Sequence, residues 1–308
     1  MTGKIYNSIT IKTPITKGWS ADKKYKIATT LGETYLLRIS DISFYNQKKS
    51  LFETMKKLET KEIPMCLPIE FGTCGAGVYS IQSWIDGVDL ETILPLSAKT
   101  TLSKKEQYAL GLQAGKILKK IHGIPIPEQN KKWEDIFNRR INEIIKAYGD
   151  CELCFDGDEK VIDFIENRRY MLEGRSQSFL LGDYNILNMM YENDSLKIID
   201  FDRYEVGDPW NEFNCIVWSA MASPYFATGQ IDAYLGGEIP AEFFDLVAVY
   251  ISILLLSLMS SWAVTSDYGR AVMMNLSQLV LKWFDDMKNP IPTWYLKNMQ
   301  SEARLWLT

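Results

Sequence analysis

Three oxygen-bearing side chains in the second half of the chain have the types and spacing for phosphate chemistry. Asp183 follows a strand-like Phe179-Leu180-Leu181 and sits in the loop Leu181-Gly182-Asp183-Tyr184-Asn185-Ile186-Leu187-Asn188. Asn188 opens a predicted β-hairpin, NMMYEN followed by SLKIID, that ends on Asp200. Hairpin strands run antiparallel, so Asn188 at the start of one and Asp200 at the end of the other are neighbours. A carboxylate and an amide oxygen at one point can hold Mg²⁺, a hard cation that prefers oxygen ligands. Asp183 is then a nearby carboxylate able to accept a proton or orient a hydroxyl. The set suits transfer of a phosphoryl group from a metal-bound nucleotide.

The elements that must position these residues fall into two textures. Up to about residue 85 the chain reads as strands and turns with one helix. KYKIATT and TYLLRIS around a short Gly turn form a β-hairpin. Residues 46–58 read as a helix, with Leu51, Met55 and Leu58 on one face. After Asp86-Gly87 long helices take over. Ser103 with Glu106 three residues on is a capping box that opens a helix ending at Gly123 and Pro125. Residues 133–148 and 159–172 are also helical. The short strands around Asp183 and Asp200 interrupt the second half, and helices resume from about Asn211. The pattern predicts an α+β protein with a β-rich lobe over 1–85, a helical lobe over 86–308, and a binding cleft between them.

Composition narrows the class. The 308 residues are 46% hydrophobic and 24% charged, with net charge −5, which suits a soluble globular protein and lacks the basic field of a general nucleic-acid binder. The five cysteines are irregularly spaced, and the single C-x-x-C (Cys151, Cys154) has no second pair and only His122 as a possible histidine ligand, so neither a disulfide framework nor a zinc site is expected. The 21 uncharged residues between Asp245 and Asp267 could span a bilayer by length. They hold five serines and a threonine and lack a flanking Lys/Arg cluster, so they read as a buried core helix of a cytoplasmic protein.

The Gly182-Asp183, Asn188 and Ile199-Asp200-Phe201 elements together resemble the aminoglycoside phosphotransferase family, whose signature is H-G-D-x-x-x-x-N followed by a hydrophobic-I-D-F/W segment. Gly207-Asp208-Pro209 to Glu212 is similar to that family's G-D-P-x-x-E, and Leu118 to His122 to its L-x-x-L/I-H helix end. The resemblance implies a protein-kinase-like two-lobed fold, Asp183 as the catalytic aspartate, Asn188 and Asp200 as Mg²⁺ ligands, and Asp208 as a structural carboxylate capping backbone amides. It implies ATP or GTP as co-substrate and a small hydroxylated acceptor, an aminoglycoside first. A monomer or weak dimer is expected, and charge and composition point to no nucleic-acid or membrane partner. In the N-terminal lobe, Lys17-Gly18-Trp19-Ser20 reads as a loop over the nucleotide phosphates or a plain turn. Arg38 stands where related kinases carry a strand lysine, with Glu53 as its expected helix partner, and Gln82 to Trp84 as the hinge that meets the base. Leu181 takes the place of the motif histidine. The alternatives are a kinase-like protein that binds nucleotide with little turnover and a kinase of another small alcohol. His122, at the end of an apolar helix, reads as structural. Trp210, Trp218, Tyr225 and Phe226 are candidates to line an acceptor pocket or to pack helices. Glu134, Asp135, Glu212 and Asp232 are candidates to meet substrate ammonium groups.

Overall fold

The computed structural model describes residues 2–18, 21–96 and 99–299. In chain order the first elements are Lys4–Asn7 (α1), Ile9–Ile15 (β1), Lys23–Thr29 (β2), Thr34–Ser40 (β3), Tyr45–Glu59 (α2), Pro68–Cys74 (β4), Gly77–Ser83 (β5), Val88–Asp89 (β6), Leu90–Ile93 (α3) and Lys104–His122 (α4). Then come Trp133–Gly149 (α5), Asp158–Glu166 (α6), Ser178–Leu180 (β7), Met189–Glu192 (β8), Ser195–Ile198 (β9), Glu205–Gly207 (β10), Ile216–Ala222 (α7), Pro224–Leu235 (α8), Phe243–Ser261 (α9) and Asp267–Trp283 (α10). They form two units, Met1–Asp89 with Asn188–Asp202, and Leu90–Leu187 with Arg203–Thr308.

The first unit is built on a five-stranded antiparallel sheet in the order β1-β2-β3-β5-β4. Alternation along the strands divides its residues between two faces. Ile27, Leu37, Ile39, Tyr79 and Ile81 make a buried cluster on one face, with Ile5 and Tyr6 of α1 packed against it. Lys24, Lys26 and Arg38 fall on the other. The predicted hairpin is β2–β3, closed by Gly32. Helix α2 buries Leu51, Phe52, Met55 and Leu58, a stripe at helical spacing.

The hairpin β8–β9 turns on Asn193 and Asp194, both at positive φ, as a two-residue hairpin turn requires. Its pattern placed it in the helical lobe, but it is bonded to the first unit. β8 pairs with β6, the Ile198 N–H donates to the Pro64 carbonyl at 2.8 Å, and the Cys66 N–H donates to the Ile198 carbonyl at 3.3 Å. The partners of these short strands lie about a hundred residues upstream, beyond the reach of local periodicity.

The second unit is helical, with β7 and β10 as a two-stranded antiparallel insert. Both halves of the capping box form, Ser103 Oγ accepting from Glu106 N–H and Glu106 from Ser103 N–H. The helix expected over 159–172 stops at Glu166 and continues as a 3₁₀ turn over Arg169–Leu172. Helix α9, the uncharged segment, is long and apolar enough to cross a membrane, but 72% of its most apolar stretch is buried within the protein. It packs against α5, α6, α10 and the 3₁₀ segment Pro209–Cys215, as a helix that is apolar on all sides must.

Candidate active site

In the first unit the site is a lattice of charge. Arg38, on β3, is 7% exposed. Its Nε donates to Asp22 Oδ2 at 2.9 Å, its Nη2 donates to Asp202, and its Nη1 lies 3.7 Å from Asp200 Oδ1. The Lys48 ammonium donates to Asp22 Oδ2 at 2.8 Å and Asp202 Oδ1 at 3.0 Å, and Ser40 Oγ donates to Asp22 Oδ1 at 2.6 Å. Burial works against ionisation of Asp22, but Arg38, Lys48 and Ser40 outweigh it and hold its carboxyl below the ordinary value. Burial likewise opposes the charge on Arg38, and Asp202, Asp200 and Asp22 raise its pKa.

The expected Arg38–Glu53 pair is not what forms. Glu53 lies on the exposed face of α2, and the described ion pairs of Arg38 run to Asp22, Asp200 and Asp202. The reason is phase: buried Phe52 is four residues from Lys48 and Met55 is seven, so Lys48 shares their stripe, while Glu53 is turned about 100° from Phe52. Lys48 was legible in that spacing. Asp22, in a turn before β2, carries no such signal.

Asp200 follows β9 at φ +62°, a left-handed conformation that aspartate tolerates better than most residues. Met189 pairs with Ile198, and the Ile199 N–H donates to the Asn188 carbonyl at 3.0 Å, so Asn188 and the residue before Asp200 meet at the open end of the hairpin. The donors are a carboxylate and an amide oxygen, which fit a hard divalent cation. Among the described residues no group of three or more His, Cys, Asp or Glu could hold a metal. A two-donor site suits Mg²⁺, which keeps waters and phosphate oxygens as its other ligands.

Gly18 takes φ +93°, and Lys24 Nζ lies 2.6 Å from where a Gly18 Cβ would stand. Ser20, expected in the same loop, lies outside the described residues, as does Trp19. Gln82 is buried inside β5, opposite Leu36, and its Nε2 faces Met55 Sδ at 3.6 Å. Trp84 follows β5, with the Lys26 ammonium 4.4 Å from its ring centroid and its Nε1 buried without a partner among the described residues.

In the second unit, the loop after β7 carries Asp183. Its Oδ1 accepts from Asn185 Nδ2 at 2.7 Å and from Cys215 Sγ at 3.5 Å, and Arg203 Nη1 lies 3.8 Å from Oδ2. Burial, then the neighbouring Asp183, pushes the Cys215 thiol well above its ordinary pKa, so it stays a weak donor. The loop backbone is held from below: Leu181 N–H donates to Glu212 Oε2 at 2.6 Å and Gly182 N–H to Glu212 Oε1 at 2.8 Å. Gly182 takes φ +81°, and a Cβ there would stand 2.1 Å from the Arg203 carbonyl oxygen. Leu181, in place of a histidine, is buried. His122 stands behind Glu212, with Nε2 3.6 Å from Oε2 and Nδ1 2.8 Å from the Tyr234 hydroxyl, a structural placement.

Asp208 is fully buried and caps the Trp210 N–H at 2.9 Å, while Arg175 and the Tyr250 hydroxyl also donate to it. Tyr250 in turn accepts from Trp133 Nε1 at 2.9 Å. A cavity of about 160 Å³ opens beside Gly182 and Glu212, lined also by Phe137, Arg140, Asn214 and Tyr250. None of Trp210, Trp218, Tyr225 and Phe226 lines it. Of the acids considered for substrate, Glu212 is committed to the loop, and Asp232 accepts from the Tyr108 and Tyr295 hydroxyls at 2.7 Å each. Glu134 accepts from Gly174 N–H, at the mouth of a separate surface pocket.

A sequence profile described as the phosphotransferase enzyme family matches residues 12–244. No curated protein matches the chain. Among solved structures, a thermostable mutant of aminoglycoside phosphotransferase APH(4)-Ia is 16% identical with TM-score 0.63, over 90% of this chain and 95% of that one. A choline/ethanolamine kinase family protein from Mesorhizobium loti is 13% identical with TM-score 0.62, over 90% of each chain. An amicoumacin kinase in complex with AMP-PNP, Ca²⁺ and Ami is 12% identical with TM-score 0.59, over 96% of this chain and 92% of that one. The fold is that of the kinase-like phosphotransferases.

Proposed function

Because the chain belongs to the phosphotransferase enzyme family, we propose that it transfers the γ-phosphate of ATP or GTP to a hydroxyl of a small molecule, with aminoglycosides as the first acceptor class. The observation that carries the reading is the Asp183 loop, whose backbone is fixed by Glu212 and whose carboxylate is oriented by Asn185. In this reading Asp183 orients the acceptor hydroxyl and takes its proton. The hydroxyl oxygen forms the new bond to phosphorus, the bond from the γ-phosphorus to the bridging oxygen breaks, and the nucleoside diphosphate leaves. Asn188 and Asp200 would hold Mg²⁺, which when bound would supply neutralising charge to the phosphate oxygens. The aminoglycoside class is supported by the aminoglycoside enzymes of similar fold. The choline/ethanolamine and amicoumacin kinases of similar fold keep other alcohols on the acceptor panel.

A second reading, nucleotide binding with little turnover, is favoured by one observation: Arg38, expected to steady the phosphates, is surrounded by three carboxylates. Purified protein with Mg²⁺ and ATP or GTP, screened against a panel of aminoglycosides and other alcohols, separates the two. Acceptor-dependent nucleotide consumption that is lost in Asp183→Ala supports the enzyme. Nucleotide binding without consumption across the panel supports the second reading, and a fully active Asp183→Ala removes the role given to Asp183.

A further inference from the structure

A nucleoside triphosphate brings three to four negative charges that a protein must meet with cations or amide N–H groups. Arg38 is poorly placed to meet them. Its Nε and Nη2 are bonded to Asp22 and Asp202, its Nη1 faces Asp200, and the side chain is 9% exposed. Turning toward a phosphate would break a buried ion pair and leave Asp22, itself 6% exposed, without its guanidinium. Lys48 is bonded to the same two carboxylates, Asp22 and Asp202.

Lys24 differs from both. It stands directly opposite Arg38 on the neighbouring strand, on the same sheet face. It is half-buried, and among the described residues no carboxylate lies within ion-pair distance of it. Its ammonium donates to the Lys17 carbonyl at 2.5 Å and fills the space where a Gly18 Cβ would stand. A half-buried ammonium with one hydrogen-bonded carbonyl partner has given up water without gaining a carboxylate in direct contact. Burial first, and Arg38 second, lower its pKa, and the more distant Asp200, Asp22 and Asp202 offset this only in part. What it lacks is an anion in direct contact, and it stands against the side of Gly18 where any other residue would carry a Cβ. A compact ammonium on a flexible stem meets a phosphate as a point charge, which Arg38 in its fixed ion-pair lattice cannot do.

We propose that Lys24 is the residue that binds the nucleotide phosphates, and that Arg38 is a positioning residue which, with Lys48, holds Asp22 and the Asp200–Asp202 segment in place. This rests on the nucleotide-binding reading above. The test is equilibrium binding of MgATP, MgGTP and the corresponding nucleosides to wild type, Lys24→Met and Lys24→Arg, with thermal melts to report folding. Removing one charge-assisted hydrogen bond to a phosphate weakens binding by about 10- to 100-fold. Lys24→Met should weaken the triphosphate by that factor and leave the nucleoside unchanged, with Lys24→Arg within about threefold of wild type. In wild type alone, triphosphate should protect Lys24 from an amine-acylating reagent while the exposed Lys146 reacts at its usual rate, a readout that does not depend on any variant folding. Wild-type triphosphate affinity in Lys24→Met, an equal loss for nucleoside and triphosphate, or no protection of Lys24 overturns the assignment and leaves the phosphotransferase reading standing. Wild type that binds no triphosphate overturns both.

Discussion

Glu212→Ala is the most informative single change in the second unit. The Glu212 side chain is 1% exposed, and its two oxygens accept the Leu181 and Gly182 N–H groups at 2.6 and 2.8 Å. Each hydrogen bond to a charged group contributes about 1.5–3 kcal/mol, and the two N–H groups would lose their acceptor together. The expected cost is therefore about 3–6 kcal/mol, a large share of a total stability of about 5–15 kcal/mol. Glu212→Gln keeps one carbonyl acceptor but turns an NH₂ toward the other donor, so roughly half that loss is expected. The two N–H groups immediately precede Asp183. A shift of about 1 Å in a reacting group costs on the order of 10²-fold in rate. Glu212→Gln should thus lower kcat by about that factor and leave nucleotide affinity unchanged. Urea unfolding with an unchanged m value, alongside steady-state kinetics and nucleotide titration, measures all three. A Glu212→Ala cost below about 1 kcal/mol would refute the clamp. So would a parallel loss of kcat and nucleotide affinity in Glu212→Gln.

Two further outcomes follow from the geometry. Gly182→Ala meets a positive φ and a backbone oxygen 2.1 Å from the new Cβ, so unfolding stability should fall by more than about 3 kcal/mol; a denaturant midpoint near wild type would contradict the close approach. Asp22 has a depressed folded-state pKa, so its contribution is fully present above the ordinary carboxyl value near 4 and is lost as pH falls through its lower folded value. The melting temperature of wild type should converge on that of Asp22→Asn between roughly pH 5 and pH 2, and a gap that stays constant over that range would remove Asp22 from the charge lattice.

What could be read from the residues alone follows the range of the interactions involved. The capping box at Ser103–Glu106, the β2–β3 hairpin and the open end of the β8–β9 hairpin are local, set by residues within one turn or one hairpin. The Asp183 loop was legible as a motif, but its support was not, because Glu212 lies about thirty residues downstream and nothing near Leu181 points to it. The Arg38 partner was misassigned for a different reason. The analogy with a strand cation and a helix acid favoured Glu53, while the 3.6-residue phase of Leu51, Met55 and Leu58 already favoured Lys48. With a cation on the helix as well as the strand, the anions had to come from elsewhere, and Asp22 and Asp202 lie 16 and 164 residues from Arg38.

Helix α9 bears on how the chain reaches its fold. Synthesis runs from the N-terminus, so a 19-residue segment with mean hydropathy 2.1 leaves the ribosome as a candidate for any machinery that captures apolar segments. The order of its neighbours limits that exposure. The residues of α5, α6 and the Pro209–Cys215 segment are all translated before Phe243, so most of the surface that covers α9 has been made when it emerges. Helix α10 comes later, ending 22 residues past Ser261, a delay of about 1–4 s at ordinary elongation rates, and Tyr295, whose ring packs on Phe244, comes later still. Moving α9 ahead of α5 by circular permutation would keep the packing of the finished fold and lengthen the interval in which this helix stands bare, with aggregation during synthesis as the expected result.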